Sequence, residues 1–183
     1  MAKDTSKTEE QFKTAMAECR SLFEKKLHDY GPSWRILRPS SLTDQLYIKA
    51  RRIRSLEVKK ESYVGEGIKP EFIALINYGI VGLIQLDKGF ADKPDITNDE
   101  AMKLYDKFAD EALQLMLKKN HDYDEAWRLM RVSSYTDFIL TKITRVKEIE
   151  DLNGETLVSE GIGSNYMDII NYAVFGVIKL SYE

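Results

Sequence analysis

Apolar residues recur every three or four positions through most of the chain, and few stretches alternate as a half-buried strand would. Residues 8–28 place Phe12, Met16, Cys19, Phe23 and Leu27 on one stripe, the spacing of a helix with one buried face. A second stripe, Met102, Tyr105, Phe108, Ala112 and Leu115, follows Thr97. With Glu100 three residues on, Thr97 predicts a capping box. The segments SSLTD and SSYTD predict two further helix starts. There Ser41 and Ser134 are candidate caps, and Asp44 and Asp137 suit the positive end of the helix dipole.

Residues 70–86 and 164–181 are apolar nearly all round, the signature of a central, buried helix, and Pro70 fits a first turn. Their Val, Ile and Gly content would also suit a buried strand, but runs of this length favour helix. Each apolar run is about fifteen residues and is broken by Asn, short of the roughly 20 needed to cross a bilayer. The expected fold is all-α.

The pattern repeats. Sliding the chain by 93 positions aligns 25–57 with 118–150, and fifteen of the 33 pairs are identical. The phrase HDY occurs in both copies and contains the chain's two histidines, His28 and His121. After one extra residue in the second copy, VGEGI matches VSEGI, and INYGIVGLIQL matches INYAVFGVIKL. Two copies are too few for a solenoid. Duplication and fusion of a three-helix unit that once paired with itself predicts a pseudo-twofold bundle. The expected organisation is a first repeat over 1–86, a linker over 87–99 rich in Asp, Gly and Pro, and a second repeat over 100–183.

Composition narrows the function. With 43% hydrophobic and 31% charged residues, the chain can build a core and keep a charged exterior. A formal net charge of −3 disfavours nucleic acid and anionic membranes as partners. The lone Cys19 excludes an internal disulfide framework, and the first residues lack the apolar run of a signal peptide. A cytoplasmic location is expected.

Polar identity between the copies points to candidate chemistry. Apolar pairs such as Leu42/Tyr135 and Tyr47/Leu140 have drifted, whereas the polar set has drifted less. Lys49 with Arg52, and Lys142 with Arg145, sit three apart on one helix face, a spacing suited to cradling phosphate or to a solvated stripe. Asp29 and Asp122 are read either as cation ligands or as part of helix ends where His meets the dipole. Glu66 and Glu160 precede the third helix of each unit, and Glu71 and Asp168 lie within it at non-equivalent positions. Buried carboxylates of this kind need a cation or a partner. Trp34, Trp127, Tyr30 and Tyr123 could flank a base. Asn77 and Asn171 could read a base, or could bond between helices.

In the first copy KLHDYG, KARR, GEGIKPE and INYG, and in the second NHDYD, KITR, SEGI and MDIINYA, resemble the nucleotide modification associated domain family. The resemblance covers nearly the whole chain apart from its start and linker. It implies a link to nucleotide or modified-base metabolism. The layout is also similar to all-α nucleoside triphosphate pyrophosphatases of the MazG kind, which hold magnesium with paired acidic motifs. This chain departs from them by offering Lys and Arg where those enzymes carry glutamates. Glu71 pairs with Ala74 at the motif spacing, and Asn165 with Asp168, so each copy keeps one acid.

The resemblance therefore implies a nucleotide-handling protein, read as a Mg²⁺-dependent phosphohydrolase with Asp29, Glu66, Glu71, Asp122, Glu160 and Asp168 as oxygen ligands. Lys49, Arg52, Lys142 and Arg145 would hold phosphate. One expectation is that Glu71 and Asp168 share a single cation near the pseudo-axis. The rival is a non-catalytic helical binding or scaffold module with a degenerate site. The expected partner is a nucleotide or nucleoside phosphate, with self-association left open.

Overall fold

In a computed structural model, residues 6–60, 67–153 and 161–182 are described. Among them the elements are helical and contain no strand: α1 (Ser6–Tyr30), α2 (Pro39–Lys59), α3 (Lys69–Lys88), α4 (Asn98–Tyr123), α5 (Val132–Asp151) and α6 (Ile162–Tyr182). Short 3-10 turns, Ser33–Ile36 and Ala126–Leu129, join α1 to α2 and α4 to α5. The order helix, turn, helix, helix therefore occurs twice.

Helices α2, α3, α5 and α6 form the centre, with α3 and α6 in the most extensive contact. Helices α1 and α4 pack on each other and on both α3 and α6. The α3/α6 pair is antiparallel. Gly79 faces Ile170 and Gly82 faces Tyr166, while Gly176 meets Phe72 near the start of α3. These contacts come in symmetric pairs, since Gly82 is the repeat equivalent of Gly176 and Phe72 of Tyr166.

The same relation holds elsewhere. Asn77 Nδ2 donates to the Cys19 carbonyl at 3.1 Å, and Asn171 Nδ2 to the equivalent Ala112 carbonyl at 3.3 Å. Across α2 and α5, Asp44 pairs with Lys147 at 3.6 Å, and Asp137 with the equivalent Arg54 at 3.8 Å. The bundle is pseudo-twofold.

Stripe positions Phe12, Met16, Cys19, Phe23 and Leu27 are buried, as are Tyr105, Phe108 and Ala112. In α4, Met116 rather than Leu115 completes the buried stripe, and Ala101 joins it at the start. Thr97 and Glu100 form the expected reciprocal cap, at 3.1 and 2.8 Å. The expected Ser41 and Ser134 caps are not formed. Helices α2 and α5 begin earlier, with Arg38 and Arg131 in extended conformation at the cap position and no side-chain cap bond. Pro39, with its preset φ and missing N–H, suits the first turn and moves the α2 start ahead of Ser41. No described helix is long and apolar enough to cross a membrane.

Candidate functional site

Behind the first 3-10 turn, a cavity of about 540 Å³ opens between α1, α2 and α3. Phe23 and Leu27 of α1, Trp34 of the turn, and Ala74, Tyr78 and Val81 of α3 give it apolar walls. Lys26, Lys49 and Glu71 supply its charge, and Tyr30 stands at its edge. The turn is held from beneath by Gln85, whose Nε2 donates to the carbonyls of Trp34, Arg35 and Leu37 at 3.2, 3.0 and 2.7 Å. Buried Arg35 returns a bond to Gln85 Oε1 and ties down Asp95 at 2.8 Å and the Gly89 carbonyl at 2.6 Å. The wall bearing Trp34 is therefore rigidly placed.

Glu71 lies at the start of α3 and is 5% exposed. Arg52 Nη1 donates to its Oε1 at 2.6 Å. Its Oε2 lies 3.6 Å from Lys49 Nζ and accepts no hydrogen bond. Two cations around one acid make the buried charge affordable. They also leave one buried carboxylate oxygen, Oε2, without a hydrogen-bond partner. Among the described residues Lys26 has no ion-pair partner, and the described lining of the cavity sets two lysines against one carboxylate.

The second half is built from equivalent parts but is closed. Phe175 stands where the first half has Val81, and it stacks on Trp127 with centroids 4.2 Å apart and planes 6° apart. Trp127 is accordingly buried, and Trp34 only partly so. Asp168 stands where the first half has Ala74. Its carboxylate receives Lys119 at 2.7 Å and Lys142 at 2.9 Å, the equivalents of Lys26 and Lys49. The role of Gln85 passes to Lys179, whose ammonium donates to the carbonyls of Arg128 and Met130 at 2.9 and 2.7 Å.

The profile of the family described as Nucleotide modification associated domain 1 matches the chain twice, over residues 26–86 and 119–180. The chain belongs to this family. In the corresponding comparisons no curated protein and no solved structure matches it. The first match runs from the end of α1 through α3 and includes the cavity residues from Lys26 to Val81; the second runs from the end of α4 into α6.

Within these domains the expected site residues separate. Glu71 and Asp168 do not share a cation. Asp168 lies level with residues near Gly79 and Gly82 across the antiparallel pair, about nine residues beyond Glu71, so the two are about 13 Å apart along α3. Each is instead neutralised by cations of its own half. Asp29 and Asp122 end up at exposed helix ends, 66% and 76% open, each paired among the described residues with its neighbouring histidine. They face solvent at helix ends and do not converge as cation ligands, because the last turn of α1 and of α4 runs past the core. Tyr123 is likewise exposed.

Lys49 and Arg52 converge on Glu71, but Arg145 reaches along its own helix to Glu148 at 3.2 Å. Asn77 and Asn171 hold the first helix of each unit, and Tyr105 donates to Asn77 Oδ1 at 2.8 Å, so their amides serve packing. Glu66 and Glu160 lie outside the described residues.

Among the described residues no three His, Cys, Asp or Glu side chains converge as metal ligands. The implied Mg²⁺ needs several oxygen donors, and Glu71 and Asp168 each already face two cations, so these residues do not fit it. Cys19 is no nucleophile either, since burial and neighbouring Glu18 push its thiol up to about 12. Sequence reasoning missed Lys26, Val81 and Ala74. A residue-by-residue comparison of the halves along the third helix would have exposed Val81 and Ala74, because there the second copy gains the Phe175 ring and the Asp168 carboxylate; Lys26, identical to Lys119, carries no such signal.

Proposed function

We propose that the first domain binds a nucleoside phosphate and that the protein acts as a nucleotide-binding module with one open site per chain. The observation that carries this reading is the cavity of about 540 Å³ combining a partly open indole, two lysines and a buried carboxylate with a free oxygen. Its size falls within the range of small-molecule sites, which are mostly apolar with a few placed polar groups. Trp34 offers a face on which a base gains roughly 1–3 kcal/mol by stacking. Lys26 and Lys49 suit a phosphate as flexible point charges. Glu71 Oε2 suits a hydrogen-bond donor such as a sugar hydroxyl or a base amine. The family description, which concerns nucleotide modification, agrees with such a ligand.

The arrangement supports binding more directly than hydrolysis. A phosphohydrolase would need a water-activating group or metal cluster beside the phosphate, and the acid in this pocket is held by Arg52 and Lys49. The test is calorimetric titration with dAMP, dGMP, dCMP and dTMP and their di- and triphosphates, with and without Mg²⁺. Saturable binding of at least one of them at one molecule per chain is expected, weakened about tenfold or more by Lys49→Ala, as for loss of a charge-assisted bond. Absence of binding by every nucleotide, in either buffer, would refute the reading.

A further inference from the structure

The two halves hold the same scaffold, one with an open cavity and one filled by its own side chains. Trp34 and Trp127 are equivalent, as are Lys26 and Lys119, and Lys49 and Lys142. In the second half a planar ring, Phe175, lies flat on the indole, and an anion, the Asp168 carboxylate, lies between the two lysines. In the first half both side chains are cut back, to Val81 and Ala74, and both line the open cavity. The space is thus missing the same two groups that the other half supplies from its own helix.

Resting on the binding reading above, we propose that Phe175 and Asp168 are a built-in mimic of the ligand and so record its pose. The base stacks on Trp34 over Val81, and the phosphate sits between Lys26 and Lys49 over Ala74. Phe175 and Asp168 are seven residues apart on α6, so they share one face of the helix, two turns and about 10 Å apart. A ligand that reproduces both must join a flat ring to an anion across that gap, as a nucleoside monophosphate does. Free phosphate would fill only the lysine end, and a nucleoside only the indole end.

The physical case for the anion position is the electrostatics of the filled copy. Asp168 is 8% exposed and is kept there by Lys119 and Lys142 at 2.7 and 2.9 Å. The equivalent lysines of the first half have no carboxylate from residue 74 between them. Lys49 turns to Glu71 at 3.6 Å, a long contact, and Lys26 has no partner among the described residues. An incoming phosphate therefore meets cations that no internal anion fully satisfies.

The test closes the open half and opens the closed one. Calorimetry is run on the full chain with the deoxynucleoside monophosphate that binds best, its nucleoside, and inorganic phosphate. Ala74→Asp should weaken the monophosphate at least tenfold and leave nucleoside affinity within twofold, because it copies only the anion. Val81→Phe should weaken both monophosphate and nucleoside at least tenfold. Asp168→Ala with Phe175→Val should raise the stoichiometry from one to two. If that double variant does not melt cooperatively, the two closing substitutions decide. Fluorescence gives an independent readout: in Trp127→Phe, where Trp34 is the remaining indole, the monophosphate should quench emission and inorganic phosphate should not. If the unaltered chain binds no nucleotide, the binding reading itself falls. If it binds but Ala74→Asp and Val81→Phe bind as well as the parent, the mimic is wrong while the binding reading stands.

Discussion

Removing one hydroxyl, in Tyr105→Phe, tests the pseudo-symmetric packing with an internal control. The Tyr105 O–H donates to Asn77 Oδ1 at 2.8 Å and lies 3.6 Å from Met16 Sδ. Burial raises its pKa above the ordinary tyrosine value, so it stays a donor at any working pH. The repeat equivalent of Tyr105 is Phe12, which has no hydroxyl, and Asn171 Oδ1, the equivalent of the Asn77 acceptor, is buried without a partner. Tyr105→Phe would put Asn77 into the same state.

A neutral hydrogen bond contributes about 1 kcal/mol net, and an orphaned buried acceptor costs about 1–3 kcal/mol. Asn77 is only partly buried, so water can reach it and the lower part of the range applies. The expected loss is about 1–2 kcal/mol, or a melting temperature lowered by roughly 2–8 °C for a chain of this size. Urea unfolding followed by circular dichroism, with calorimetry for Tm, measures it. Phe12→Tyr is the converse and should cost less than Tyr105→Phe, because the new hydroxyl meets an unpaired Asn171 oxygen. A Tyr105→Phe stability within about 0.5 kcal/mol of the parent, the range of surface changes, would refute the reasoning.

Two further expectations follow from the packing and the charges. Gly82→Ala should destabilise by about 1–3 kcal/mol, because its Cβ would lie 2.7 Å from Tyr166 Cε2, and Gly176→Ala should cost less against Phe72 at 3.0 Å; equal unfolding midpoints for the two variants would contradict this. Glu57 has its pKa raised by burial and by Asp137, against Thr136 and Arg54, and Glu150 by burial, Asp44 and Asp151, against Thr43 and Lys147. A folded-state pKa above the unfolded one means the associated stability is complete below the ordinary value and lost as pH rises through the raised one. Glu57→Gln and Glu150→Gln should therefore stabilise the chain at neutral pH, by less than about 1 kcal/mol each given partial exposure, and show no gain in acid; thermal melts across pH that show equal gains in acid and at neutrality would exclude it.

The helices were legible because burial imposes a period on the sequence, and the repeat showed that the unit occurs twice. What escaped depends on partners distant in sequence. Lys49 and Arg52 look like a free phosphate cradle until Glu71, nineteen residues past Arg52, is found between them. HDY looks like a site because it is repeated verbatim, yet its side chains stand in solvent at two helix ends. Identity between copies marks shared descent and shared packing. The informative positions were the differences, Val81/Phe175 and Ala74/Asp168, whose meaning appears only when both are seen against the same indole and the same lysines.

The closed second half also bears on why the two units are joined in one chain. In a homodimer every substitution is written on both subunits, so a ring and a carboxylate that filled one pocket would fill the other. A dimer of identical units can hold both sites open or both shut. Covalent fusion lets one copy keep its stacked Phe175–Trp127 pair and its Asp168 ion bridges as permanent structure while the other keeps its cavity. Closure then becomes a property of the half, not of the fold: one unit fixes its interior with its own side chains, and the other keeps the same frame open.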